Sequence, residues 1–269
     1  MQARTIPGFG WVRDIPDQRD FMYSAPLEVL QSLPEQVDLR KCCPAVYDQG
    51  RIGSCTANAL AAAVQFDRSR DRQGPDFVPS RLFIYFNERL IEGDAGYDKG
   101  AQLRDGIKTL AEAGVCSEAD WPYDDTPAVC HGGPFPAGSR AATRPNQKCY
   151  DAAAKFQISV YQRLNQNLSQ FQGCLAAGYP FVFGFTVYTS FFDSPGVQKR
   201  VTPMPGNADH VLGGHAVLCV GYDNSQNKFI VRNSWGSRQG DGGYFLMPYA
   251  YVTEPNLAAD MWAINAVKD

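Results

Sequence analysis

The stretch Gln49-Gly50-Arg51-Ile52-Gly53-Ser54-Cys55-Thr56-Ala57-Asn58-Ala59-Leu60 carries a cysteine out of a glycine-containing turn and into an alanine-rich run. Apolar residues then recur at Ala57, Leu60, Ala61 and Val64, the spacing of a buried helix face. The pattern predicts a helix from about Ser54 to Arg70, with Cys55 in its first turn. The positive end of a helix dipole favours thiolate over thiol, which is one property of a nucleophile. A packed core cysteine would read the same way, since free cysteine is among the most buried residue types. The two readings are separated by what the rest of the chain offers Cys55.

At 269 residues the chain is long enough for one large domain or two lobes. Its charge is nearly balanced, with 25 Lys+Arg against 28 Asp+Glu, and no basic stripe marks a nucleic-acid or anionic-membrane partner. No apolar run reaches the ~18 residues of a membrane span, and no signal-peptide pattern opens the chain. The expectation is therefore a cytoplasmic protein, and a monomer. The eight cysteines contain no C-x-x-C pair, so neither a structural zinc nor any other cofactor is expected. Of the remaining cysteines, Cys130 and Cys149 are the expected bridged pair, because a Pro/Gly-rich loop separates them.

Residues 1–32 contain several prolines, with Phe9, Trp11, Phe21 and Tyr23 among them, and read as an extended strap packed on something. A second helix opens at Pro79-Ser80-Arg81 and runs through Leu90, with Ser80 suited to cap it. A third covers about Gln102 to Ala113 and stops at Gly114. Beyond about residue 146 the texture changes. Strands are expected at Phe156–Val160, Phe181–Phe185, Ala216–Tyr222, Lys228–Arg232 and Gly242–Met247, with a short helix from Leu168 to Ala177. A helical first half and a strand-rich second half argue for a two-lobed α+β protein.

Acyl transfer needs a nucleophile, a base, an orienter for that base, and donors for the oxyanion. His215, after Gly213-Gly214, is the candidate base; His131 and His210 sit in loops. Asn233 ends the next strand, and its amide oxygen can fix the tautomer of the imidazole. Trp235 can shield that bond from water. The carboxamide of Gln49 and the Cys55 amide are the candidate oxyanion donors.

These pieces occur in one order: Gln49-Gly50 to Gly53-Ser54-Cys55, His215-Ala216-Val217, Gly221-Tyr222, Asn233-Ser234-Trp235-Gly236 and Gly242-Gly243-Tyr244. In that order they resemble the papain family of cysteine peptidases. Leu33-Pro34-Glu35-Gln36-Val37-Asp38-Leu39-Arg40 looks like the start of a mature enzyme of that kind. The resemblance covers about residues 33–269. It implies a papain-like fold, with a helical left lobe (about 42–145), an antiparallel β-barrel-like right lobe (about 146–269 with 33–41) and a cleft between them. It also implies a polypeptide substrate and a cysteine endopeptidase acting through an acyl-enzyme. Gly100, Ala101, Leu103, Gly213, Ala216 and Trp235 would line the substrate site, with Leu103 and Ala216 giving an apolar second pocket.

Two departures stand out. Ile52 and Thr56 replace the cysteine and aromatic of the family signature C-G-S/A-C-W/Y, and the glycine-rich loop at Tyr97-Asp98-Lys99-Gly100-Ala101 lacks the partner cysteine. His215 and Asn233 lie 160 and 178 positions after Cys55, beyond the ~130–150 usual in the family. Insertions are expected around 124–149 and 193–212. The short N-terminal segment is more similar to bacterial members of xylellain type, and residues 1–32 are expected in or beside the cleft as a pro-segment. Three other readings stay open: acyltransferase or transglutaminase chemistry, a non-catalytic binding module, and a peptidase restricted to chain ends by a Cys130–Cys149 loop that caps the cleft with His131.

Overall fold

The computed structural model describes residues 9–70, 77–194 and 197–267. The first eight residues of the expected strap, and two within the 193–212 insertion, lie outside the described residues. The helices are α1 (Leu27–Gln31), α2 (Cys55–Arg70), α3 (Arg81–Ile91), α4 (Leu103–Glu112), α5 (Gln147–Ala153), α6 (Leu168–Ala176) and α7 (Tyr249–Thr253). The strands are β1 (Trp11–Val12), β2 (Met22–Tyr23), β3 (Gln36–Asp38), β4 (Ala101–Gln102), β5 (Ile158–Leu164), β6 (Phe181–Tyr188), β7 (Phe192–Ser194) and β8 (Val197–Gln198). They continue with β9 (Val211–Asp223), β10 (Lys228–Arg232), β11 (Tyr244–Pro248) and β12 (Ala258–Val267).

Alanine is the strongest helix former, and an all-round small surface lets neighbours approach closely. Accordingly α2 is buried on every side from Cys55 to Arg68, packed against α3, α4, β9 and β12. Ser80 caps α3 as expected, its Oγ accepting from the Phe83 amide at 3.2 Å.

The main sheet runs β11-β10-β9-β6-β12-β5-β2, with β3 added to β9. All its pairs are antiparallel except β2 with β5. Because side chains alternate along a strand, β6 sends Val182 to the core beneath α2 and Phe181, Phe183 and Phe185 to the other face. There they meet Phe171, Phe191, Phe229 and Phe245 in an aromatic core. Each such ring buried is worth about 1.5–3 kcal/mol. The result is the α+β, papain-like arrangement of a helical part against an antiparallel sheet.

The bridge expected between Cys130 and Cys149 does not form; all eight cysteines are thiols. Cys130 is exposed on a turn closed by the Gly133 amide. Cys149 lies on α5, an unanticipated helix just after the Pro/Gly-rich stretch, capped by Asn146. The helix turns that sulfur inward, beside the Cys116 thiol and 3.7 Å from the Asp120 carbonyl.

Candidate active site

Cys55 is the first residue of α2. The Asn58 side chain closes the turn before it, donating to the Ser54 carbonyl at 2.8 Å and to the Ser54 hydroxyl at 3.0 Å. Where the family signature has a cysteine, Ile52 is fully buried. The loop from Tyr97 is still tied to this corner, by a polar link in place of a disulfide. The Gly53 amide donates to both Asp98 oxygens at 3.0 and 3.2 Å, and Asp98 also accepts from the Tyr85 hydroxyl. Thr56, standing where an aromatic is usual, donates to Glu88 at 2.6 Å. Glu88 is completely buried, and that burial pushes its carboxyl well above the usual range.

His215 lies within β9, a longer strand than expected because β6 pairs with it back to Val211. It shares the aromatic face with Val217 and Cys219, and stacks on Trp235 with ring centroids 4.6 Å apart. Its Nε2 meets Asn233 Oδ1 at 2.7 Å, and both residues are buried. Asn233 follows β10 directly, so the β9–β10 hairpin brings the two together. The neighbouring Ser234 holds Gln49 from two sides. Its hydroxyl donates to Gln49 Oε1 at 2.7 Å and its carbonyl accepts from the Gln49 amide at 2.8 Å. Gln49 Nε2 donates to the Ile52 carbonyl at 3.0 Å. The carboxamide is thus held with its NH2 end on the cysteine-bearing turn. The backbone amides of Ala216 and Thr56 reach the Cys55 sulfur, which places that sulfur beside the residue following His215.

A sequence profile described as "Papain family cysteine protease" matches residues 33–263. The chain belongs to the papain family of cysteine proteases. It is 50% identical to xylellain, a cysteine protease from Xylella fastidiosa whose structure superposes with a TM-score of 0.93, covering 100% of this chain and 99% of that one. An uncharacterised peptidase C1-like protein of Acanthamoeba polyphaga mimivirus is 35% identical over 100% of this chain and 90% of its own length. A cathepsin B-like protein of Giardia intestinalis is 27% identical over 80% of this chain and 69% of its own. ProCathepsin B S9 of Trypanosoma congolense shares the fold, with a TM-score of 0.73 at 20% identity, covering 96% of this chain and 86% of that one. The chain is accordingly a cysteine peptidase with the papain-like fold, similar to the xylellain branch.

In this papain-family protein the cleft is occupied by the chain's own N-terminal strap. Phe9 lies 6.4 Å from the His215 ring and 6.3 Å from the Trp235 ring, centroid to centroid. The Gly10 amide reaches the Cys55 sulfur, and the Gly10 carbonyl accepts from the Ala101 amide at 2.8 Å. Strand β1 pairs in parallel with β4. Gly100, at φ +78°, tolerates this approach only without a side chain, since a Cβ there would lie 2.1 Å from the Gly10 carbonyl oxygen. The Trp11 indole lies against Gly184 and Gly214, with room made by their missing side chains, and its Nε1 donates to Asp260 at 3.2 Å. Gly213 meets Phe9, while Leu103 and Ala216 are buried in the core beneath. With the strap in place Cys55 is completely buried, and burial pushes its thiol up to about 12 against the opposing pull of the Ala216, Gly10 and Thr56 amides.

A buried ion cluster holds the strap down. Asp20 makes a two-pronged pair with Arg104 at 2.5 and 3.0 Å. Arg163 reaches Asp14, Asp20 and Asp260 at 3.4, 3.3 and 2.8 Å. Asp14 also accepts from the Trp262 indole at 3.1 Å and the Arg104 amide at 3.1 Å. None of these charges was singled out in the sequence. Their only signal was acidic residues in a strap and arginines far away in the chain.

Proposed function

We propose that Cys55 is the nucleophile of a cysteine endopeptidase, His215 its base, Asn233 the orienter and Gln49 with the Cys55 amide the oxyanion donors. The observation that carries this reading is the buried 2.7 Å bond from Asn233 Oδ1 to His215 Nε2, beneath Trp235. It leaves Nδ1 as the nitrogen that exchanges a proton with sulfur. The thiolate attacks the peptide carbonyl, and His215 then protonates the leaving amine; water finally hydrolyses the acyl-enzyme. Trp235, Gly213, Ala216, Gly100, Ala101 and Leu103 border the substrate path, with Ala101 offering its amide to an extended chain. The lobes divide near residue 146, with residues 33–41 joining the sheet.

Residues 1–32 act as a pro-segment in a chain made as a zymogen. The Gly10 N–H is turned toward the sulfur, so the strap fills the cleft over the nucleophile. Pro-forms among the structural neighbours, such as procathepsin L 3 of Tenebrio molitor with a TM-score of 0.68, support this reading. Hydrolysis of an end-blocked peptide tests the whole. The strap-cleaved protein is expected to cut it faster than the full chain, and Cys55→Ala not at all. Hydrolysis surviving in Cys55→Ala, or full activity with the strap docked, would overturn the proposal.

A further inference from the structure

We propose that Gln198 is a positioning residue that holds the Asn233 side-chain amide in the one orientation that presents oxygen to His215. The inference rests on the site assignment above and concerns the 193–212 stretch, where an insertion is expected from the sequence.

An asparagine amide has two ends of nearly equal shape, so packing alone does not choose between them; hydrogen bonds do. If the NH2 faced His215 Nε2, that nitrogen would have to be the bare acceptor. The ring proton would then sit on Nδ1, and the imidazole could no longer take a proton from the thiol. The oxygen end of Asn233 is held by His215 at 2.7 Å and by the Ser234 amide at 2.8 Å. The nitrogen end donates to Gln198 Oε1 at 2.8 Å. A flip would put two donors against each other at Ser234 and two acceptors against each other at Gln198.

Gln198 is itself well held. It is 3% exposed, and its backbone amide donates to Gln239 Oε1 at 3.1 Å. In the β7–β8 hairpin it pairs with Phe192, whose ring stacks on Trp235 at 5.9 Å and an interplanar angle of 13°. The same hairpin therefore covers the tryptophan and pins the asparagine. The other end of the glutamine amide, Nε2, is buried with no hydrogen-bond partner among the described residues. A buried amide with one end unsatisfied is an unfavourable placement. Its satisfied end serves Asn233.

The test is a double-mutant cycle in the full chain, activated as the wild type is, with kcat and KM measured on one end-blocked peptide. Gln198→Leu removes the acceptor at similar volume. It is expected to lower kcat by about tenfold, taking as guide the lower end of the range for losing a group that orients a metal-bound histidine, with KM unchanged within about twofold. In an Asn233→Ala background the same change is expected to have no further effect. Gln198→Glu keeps the acceptor and is expected to retain kcat within about threefold. It also brings a negative charge near the imidazole, so it should move the alkaline limb of the pH–kcat/KM profile upward. Equal losses from Gln198→Leu with and without Asn233 would overturn the inference. So would wild-type kcat in Gln198→Leu, or an unmoved pH profile in Gln198→Glu, which remains informative if the leucine variant does not fold. If Cys55→Ala and Asn233→Ala abolish or reduce activity and Gln198→Leu does not, only this inference fails. If Cys55→Ala is active, the site assignment itself fails.

Discussion

Replacing Asp20 with alanine should open the strap, and the size of the effect follows from how dry its ion pair is. The Asp20 and Arg104 side chains are 9% and 8% exposed, so the pair is little screened by water. Truncating one partner of a buried, hydrogen-bonded charge pair costs about 2–5 kcal/mol. In the docked state Arg104 keeps the Ile15 carbonyl as a partner, which points to the lower end, about 2–3 kcal/mol. At about 1.4 kcal/mol per tenfold, the open fraction should rise about 30- to 150-fold. The assay is the rate at which a trace of iodoacetamide labels Cys55 in the full chain, followed by peptide mapping. That rate tracks the open population when reclosing is fast. The control is Asp17→Ala. Asp17 makes three side-chain bonds to Arg19, one as short as 2.6 Å, yet the Arg19 side chain is 88% exposed. An exposed pair contributes little, so labelling should change less than about twofold. Equal effects from the two substitutions, or none from Asp20→Ala, would refute the reasoning.

The same cluster makes strap docking pH-dependent. Burial, and then the Asp260 charge, raise the Asp14 carboxyl from its ordinary 3.8 to about 6 while the strap is docked. The docked form therefore holds its proton more tightly, and this contribution is fully present below about pH 4 and lost as pH rises through about 6. Docking should tighten on acidification from pH 7 to pH 4, seen as a falling ratio of Cys55 labelling in the full chain to that in strap-cleaved protein; a rising ratio would contradict it. Gln49→Ala should cost about 10²–10³ in kcat, the range for one oxyanion donor, with circular dichroism unchanged; a loss confined to KM would remove Gln49 from that role. Asp98→Ala leaves the Gly53 amide and the Tyr85 hydroxyl without their acceptor and should destabilise the protein by about 1–3 kcal/mol, read as a lower urea midpoint. An unchanged midpoint would show that the Gly53–Asp98 link does not replace the missing disulfide.

Much of the site was legible because its residues sit at fixed places in strong local patterns. Cys55 stands where a turn meets an alanine-rich helix, while His215 lies on one strand and Asn233 just past the end of the next, the two strands paired by a short turn. Strand β10 was placed to the residue, since Phe229, Ile230 and Val231 sit between a turn and Arg232. Strand β12 was missed. Its Ala258–Ile264 core is buried on nearly every residue, so no polar alternation marks it. Helix α5 was missed because it is only seven residues long and directly follows a Pro/Gly-rich stretch. The Cys130–Cys149 pairing failed for that reason, loop composition having stood in for the direction α5 gives its cysteine. Residues that act through others had no role legible in the sequence. Gln198, Ser234 and Asp98 are ordinary polar residues until the fold sets them against Asn233, Gln49 and Gly53. The strap shows both sides: its aromatic residues announced that it packs, while the Asp14, Asp20, Arg104, Arg163 and Asp260 cluster spans too much sequence to be read before folding.

The most direct test of the central claim is mass-spectrometric mapping of an epoxysuccinyl label on strap-cleaved protein. The account predicts one adduct per chain, on Cys55 among the eight cysteines, with peptide hydrolysis lost in step with labelling. A label on another cysteine, or full hydrolysis after Cys55 is completely labelled, would contradict it.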